Sequence, residues 1–150
     1  MALRMQRKSF MPASFVIDHA NRLVRSKGWG VLEEADLAST QRGVREDAQF
    51  DPMYRQIYDF SDITEIRVSA TDLRFLAYNS PFSPKATRAV VVSSDVAYGM
   101  ARMYGLMGDR DPERFQIFRD RAAALRWLGV SDDSKTTRSE EIAGQDRPNI

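Results

Sequence analysis

The sequence predicts an α/β fold: a mixed, mostly parallel sheet of about five strands flanked by about four helices, in the order ββαβαβαβα. Three observations carry that prediction. Arg88-Ala89-Val90-Val91-Val92 is a short apolar run rich in β-branched residues, the pattern of a strand enclosed on both faces. Short extended segments alternate with segments of helical spacing between residues 33 and 129. The later helical segments each open on a Ser or Asp whose side chain can cap a helix start.

Phe15–Asp18 is the first short strand. His19-Ala20-Asn21-Arg22 supplies a turn, and Leu23–Leu32 returns as the second strand of an antiparallel hairpin. Gly28 and Gly30 flank Trp29 and mark a bulge or a close backbone approach. Glu33–Asp47 reads as a helix. Glu33, Glu34 and Asp36 favour its first turn electrostatically, and Leu37, Val44 and Ala48 form a thin apolar stripe. Asp51-Pro52 stops it. Tyr54–Phe60 is the next strand, continued in extended form by Ile63–Val68. Ser69-Ala70-Thr71-Asp72 has the spacing of a capping box with aspartate in the glutamate position. The helix it opens carries Leu73, Leu76, Ala77 and Ser80 on one side and ends before Pro81 and Pro84.

After the strand at Arg88–Val92, Ser93-Ser94-Asp95 offers the next cap. The helix that follows places Val96, Met100, Met103 and Met107 on one stripe, with Ala97, Ala101 and Tyr104 beside it. Gly99 and Gly105 each cost such a helix about 1 kcal/mol against alanine, which close packing on the sheet would explain. Arg114–Phe118 alternates polar and apolar as a last strand. Asp120 caps a final helix with Ala124, Leu125, Trp127 and Leu128, and Gly129 stands at its C′ position.

The chain has 150 residues, a length expected for one domain, here residues 12–130. Residues 1–11 are basic without periodicity and are expected to be a flexible lead-in. Residues 131–150 hold almost no large apolar side chain and are expected to be a disordered polar tail. There is no cysteine, which excludes disulfides, thiolate zinc sites and cysteine nucleophiles. No apolar run reaches the ~18 residues of a membrane span, and no secretory signal is legible, so the expected location is the cytoplasm. The 22 basic residues barely exceed the 21 acidic ones, without the surplus of a nucleic-acid binder.

The opening hairpin, the stretch Asp59-Phe60-Ser61-Asp62-Ile63-Thr64-Glu65-Ile66 and the capped helix after it together resemble STAS domains, which include SpoIIAA-like anti-sigma-factor antagonists. The resemblance covers roughly residues 12–130. It is nearer to an uncharacterised bacterial STAS/SpoIIAA-like branch in Asn21–Val24, in Phe50–Tyr54 and in Ser94–Tyr104. The closing Ile117-Phe118-Arg119-Asp120 and Ala124–Gly129 match that branch too. Proteins of this shape are also grouped with the CRAL-TRIO lipid-transfer fold. The resemblance implies a binding or interaction module rather than a catalyst. Signalling STAS domains carry Asp-Ser-Ser/Thr-Gly at the helix start and are phosphorylated on the second hydroxyl residue. Here the matching stretch is Arg67-Val68-Ser69-Ala70, so Ser69 falls at the phosphosite while the flanking Asp and Gly are replaced.

Ser69 therefore has two readings, a helix cap or a phosphosite whose dianion the helix start would favour. A second candidate is the turn at Ser93 and Ser94. Open α/β sheets bind ligands beyond the carboxyl ends of their strands, near a reversal of strand order. Ser69, Thr71, Ser93, Ser94 and Tyr98 are the residues expected to face one shared crevice for an anion or polar head group. The Met100, Met103 and Met107 stripe with Tyr98 and Tyr104 reads either as core or as the lining of an acyl pocket. His19, the only histidine, reads as a solvated turn residue, and no metal site can be built around it. No phosphate-binding glycine loop, nucleophile elbow or nucleophile–base pair is visible. The expected role is a regulatory or ligand-binding module without a cofactor, acting on a protein partner or a small ligand. The alternative is a lipid or small apolar-ligand carrier. The hairpin edge is open to pairing with a second copy, so a homodimer is one expected assembly.

Overall fold

The computed structural model describes residues 12–131. The expectations for residues 1–11 and 132–150 lie outside the described residues. Strands β1 (Ala13–Asp18), β2 (Leu23–Glu33), β3 (Arg55–Arg67), β4 (Arg88–Val91) and β5 (Phe115–Phe118) form one sheet in the order β1-β2-β3-β4-β5. β1 pairs antiparallel with β2, and every later pair is parallel. Helices α1 (Glu34–Glu46), α2 (Ala70–Tyr78), α3 (Asp95–Gly105) and α4 (Arg121–Leu128) follow β2, β3, β4 and β5 in turn. Each strand after β1 thus adds to the same side of its predecessor, and the sheet has no reversal of strand order.

That monotone order decides the layering. Right-handed crossovers stepping in one direction place all their helices on one face, so α1, α2 and α3 cover one face of the sheet. Val24, Val44, Phe82, Val90, Ala97 and Phe115 pack there. α4 follows the last strand and covers the opposite face with Leu23, Ile57, Ala89, Val91, Leu125 and Leu128. Val90, Val91 and Val92 are all buried, as the β-branched run requires.

The cap residues stand where short-range chemistry places them. Ser69 Oγ accepts from the Asp72 N–H at 3.0 Å, and Asp72 accepts from the Ser69 N–H at 3.0 Å. Ser94 Oγ accepts from the Ala97 N–H, and Asp120 from the Ala122 N–H. Glu33 is the N-cap of α1 rather than its first helical residue. Gly129 closes α4 at φ 76°, a left-handed conformation that favours glycine.

Two sequence expectations change and one is sharpened. The strand expected at Tyr54–Phe60 and its extended continuation at Ile63–Val68 are one long strand, β3 (Arg55–Arg67), which runs past the sheet and pairs there with β2 alone. Two register shifts, between Lys27 and Trp29 and between Gly30 and Val31, let this two-stranded arm bend, with Gly30 at φ +65°. The apolar stripe of α3 is rotated from the methionine reading: Ala97, Met100, Ala101 and Tyr104 point inward, whereas Val96 and Met103 are exposed. The smaller residues sit inward because α3 approaches the sheet closely. A Cβ on Gly105 would meet the Phe115 ring at 2.7 Å, while one on Gly99 would meet nothing within 4 Å. His19 is bonded rather than simply solvated. Its Nδ1 lies 2.9 Å from the Tyr54 hydroxyl and its Nε2 3.5 Å from Asp47.

Candidate functional site

Between the sheet and the α1–α3 layer lies a cavity of about 100 Å³. Its floor is the sheet face on which Gln56, Tyr58 and Phe60 of β3 alternate with outward residues, beside Arg88 and Val90 of β4. α2 contributes Leu73 and Leu76, and α3 contributes Met100 and Tyr104. The bent β2–β3 arm closes one end with Leu32 and Ile66. The lining is mainly apolar, which makes its polar groups conspicuous.

Those polar groups form a chain across three strands. Parallel register sets Gln56 opposite Arg88. Arg88 Nε donates to Gln56 Oε1 at 2.9 Å, and Gln56 Nε2 donates to Ser26 Oγ at 3.1 Å. Arg88 Nη1 donates to Ser80 Oγ at 3.4 Å. Gln56 is 4% exposed and Arg88 7%. The guanidinium lies over the rings of Phe82 at 4.7 Å and Tyr104 at 5.3 Å. Among the described residues no carboxylate pairs with Arg88. Aromatic faces and neutral hydrogen bonds offset only part of the cost of burying that charge.

Two hydroxyls share the enclosure. Tyr58 Oη and Tyr104 Oη are buried and complete no hydrogen bond of good geometry. Burial pushes the Tyr58 hydroxyl well above its ordinary pKa, outweighing the nearby Thr40 hydroxyl. Burial would also raise Tyr104, but the Arg88 and Arg110 charges outweigh it and hold that hydroxyl below its ordinary value. Arg110 stacks on Tyr104 at 4.6 Å with its Nη1 buried and unbonded. Burial, assisted by repulsion from Arg88, holds it below the usual arginine value. Two guanidiniums therefore flank one tyrosine ring, and among the described residues neither has an acidic partner.

The residues singled out from sequence stand elsewhere. Ser69, Thr71, Ser93 and Ser94 are exposed, and none of them lines the cavity. Ser93 Oγ donates to the Ser61 carbonyl at 2.8 Å. Tyr98 is half-buried beneath Arg119, which itself pairs with Asp95 at 2.7 Å. Asp59 is the last β3 residue paired to β4, whereas the Ser69 turn follows Arg67 at the far end of the arm. The length of that arm separates the two helix starts. At Ser69 the hydroxyl is held in the capping box, where a phosphoryl dianion would stand beside the Asp72 carboxylate.

Gln56, Tyr58 and Arg88 were not found from sequence, whereas Met100 and Tyr104, read there as core or pocket lining, do line the cavity. A signal existed: Gln56 and Arg88 are polar residues at positions whose strand pattern demands burial.

No protein-family model matches the chain, and no curated protein matches it. Among solved structures, the chain is similar to an uncharacterised protein of the DUF3478 family with a SpoIIAA-like fold from Shewanella loihica PV-4. That match has a TM-score of 0.55 and 16% identity, covering 77% of this chain and 93% of the other. The chain has the SpoIIAA-like fold: a mixed sheet of five strands flanked by four helices. No helix among the described residues is long and apolar enough to cross a membrane.

Proposed function

We propose that this protein is a ligand-binding regulatory module whose ligand enters the cavity under α1–α3. The single observation that carries the reading is Arg88, a buried charge without an acidic partner, on the floor of an apolar enclosure. A core built for stability alone gains by replacing such an ion with a hydrocarbon side chain. The volume favours a small ligand over a long acyl chain, because about 100 Å³ is of the same order as the ~150 Å³ engineered cavity that takes a single benzene ring. A lipid carrier would need α2 or α3 to move away from the sheet.

The same helices give the regulatory half of the reading a surface. α2 exposes Phe75 and Tyr78, and α3 exposes Val96 and Met103, opposite the faces that line the cavity. Occupancy can therefore alter a patch of the kind that partners recognise.

The test is a fragment screen by two-dimensional NMR on the wild-type chain and on Ala101→Leu, which fills the cavity from α3. The expected result is that small fragments shift resonances of Tyr58, Val90 and Tyr104 in the wild type and leave the folded variant unchanged. Equal responses from both proteins would overturn the reading.

A further inference from the structure

We propose that the cavity takes a small carboxylate with an apolar body no larger than an aromatic ring, its head group held by Arg88 and by the hydroxyls of Tyr58 and Tyr104. This rests on the reading of the cavity as a ligand site and adds the ligand's chemical class.

Charge is the first reason. The Arg88 guanidinium is permanently ionised, and its bonds go to a neutral amide and a hydroxyl. Arg110 lies across the Tyr104 ring, also without an acid among the described residues. An anion entering here meets the Arg88 charge directly, has Arg110 behind the Tyr104 ring, and finds no carboxylate among the residues that line the cavity. Hydrogen bonding is the second reason. The Tyr58 and Tyr104 hydroxyls are buried and complete no hydrogen bond of good geometry, and a carboxylate oxygen would accept from each.

Shape selects a carboxylate over phosphate. A phosphate oxygen turned away from Arg88 would face Leu73, Leu76, Val90 or Met100 and find no donor among them. A carboxylate leaves two oxygens for the polar end, and its apolar body meets those same side chains. Met100 is unbranched and adapts to a ring slightly larger than the space at rest.

The experiment is calorimetric titration of the full chain with benzoate, neutral benzamide and inorganic phosphate, repeated on Arg88→Met, Tyr58→Phe and Tyr104→Phe. Benzoate is expected to bind at least about tenfold more tightly than benzamide, the usual worth of a charge-assisted hydrogen bond, and phosphate is expected not to compete. Arg88→Met should fold, because it removes an unpaired buried charge, and should lose the preference for benzoate while keeping benzamide. If it fails to fold, each Tyr→Phe variant should still weaken benzoate several-fold and leave benzamide unchanged. Benzamide binding as tightly as benzoate, or phosphate displacing benzoate, would overturn the carboxylate and leave the cavity as a ligand site. No binding of either aromatic probe would count against the cavity reading itself.

Discussion

Removing the Ser69 hydroxyl separates a helix cap from a ligand contact. Ser69→Ala deletes the acceptor for the Asp72 N–H, so the variant should lose about 1 kcal/mol, the usual value of an N-cap. Urea titration checks this as a lower midpoint with an unchanged slope. Benzoate affinity should not change, since Ser69 does not line the cavity. A weakened affinity at full stability would return the site to the helix start. Asp18 makes an acid-side prediction. Burial alone would raise its pKa, but bonds from the Asn21 side chain and N–H and from Arg25 outweigh burial and lower it. A carboxyl lowered in the folded state contributes stability above its unfolded value of about 4. That contribution is lost as pH falls through the folded value. Asp18→Asn should therefore be less stable at neutral pH and lose less on acidification, as urea midpoints at the two pH values would show. Residues with local duties were legible in the sequence. Ser69, Ser94, Asp120 and Gly129 act on backbone within a few positions of themselves. Arg88 was not legible as a site residue, because its role depends on Gln56, 32 positions earlier, and on a register that only the folded sheet supplies.

The two glycines of α3 test how closely that helix sits on the sheet. Gly99 faces open space, so Gly99→Ala should stabilise the protein by up to about 1 kcal/mol through helix propensity. Gly105 lies against Phe115, with only 2.7 Å for an added Cβ. Gly105→Ala should instead destabilise by roughly 1–3 kcal/mol, the cost of overpacking a buried contact. Thermal unfolding of the pair decides it: two stabilised variants would mean that α3 is free to lift from β5. Helices and strands were legible because their periodicities differ and their caps are local. The facing of α3 was not, since its methionines and its small residues both repeat at helical spacing. Which stripe turned inward was decided by β5, where Phe115 leaves no room for a side chain at Gly105. The extended continuation of β3 past Phe60 was legible, but its pairing there with β2 alone along a bulged arm was not.

At the scale of the molecule, alternation of strands and helices in the sequence implied a mostly parallel sheet but not its lateral order. Order is set by pairing between distant segments, and here it never reverses. The proposed ligand site therefore has no switch-point crevice to occupy and lies between the layers, beneath the three helices that right-handed crossovers bring to one face. This enclosure couples ligand binding to global stability, and the coupling should weaken as pH rises. Tyr58 on β3, Arg88 on β4, Tyr104 on α3 and Arg110 beyond it are the charged or titratable groups at the polar end, with Asp36 of α1 near enough to act on Tyr58. Without ligand, Tyr104 gives up its proton at lower pH in the folded chain than in the unfolded one. The unfolded state then holds more protons, so stability rises with pH from the lowered Tyr104 value up to about 10. Above about 10 the Tyr58 hydroxyl, kept protonated by burial, reverses the slope. A bound carboxylate needs the Tyr104 proton and is repelled by the phenolate. Benzoate should thus raise the melting temperature at neutral pH by mass action, and that increment should shrink over the window in which the free protein gains stability. Tyr104→Phe should remove both trends and leave the titration of the exposed tyrosines in place. Scanning calorimetry with and without benzoate, from neutral pH to about 10, distinguishes this from general alkaline destabilisation, in which both melting curves would fall together.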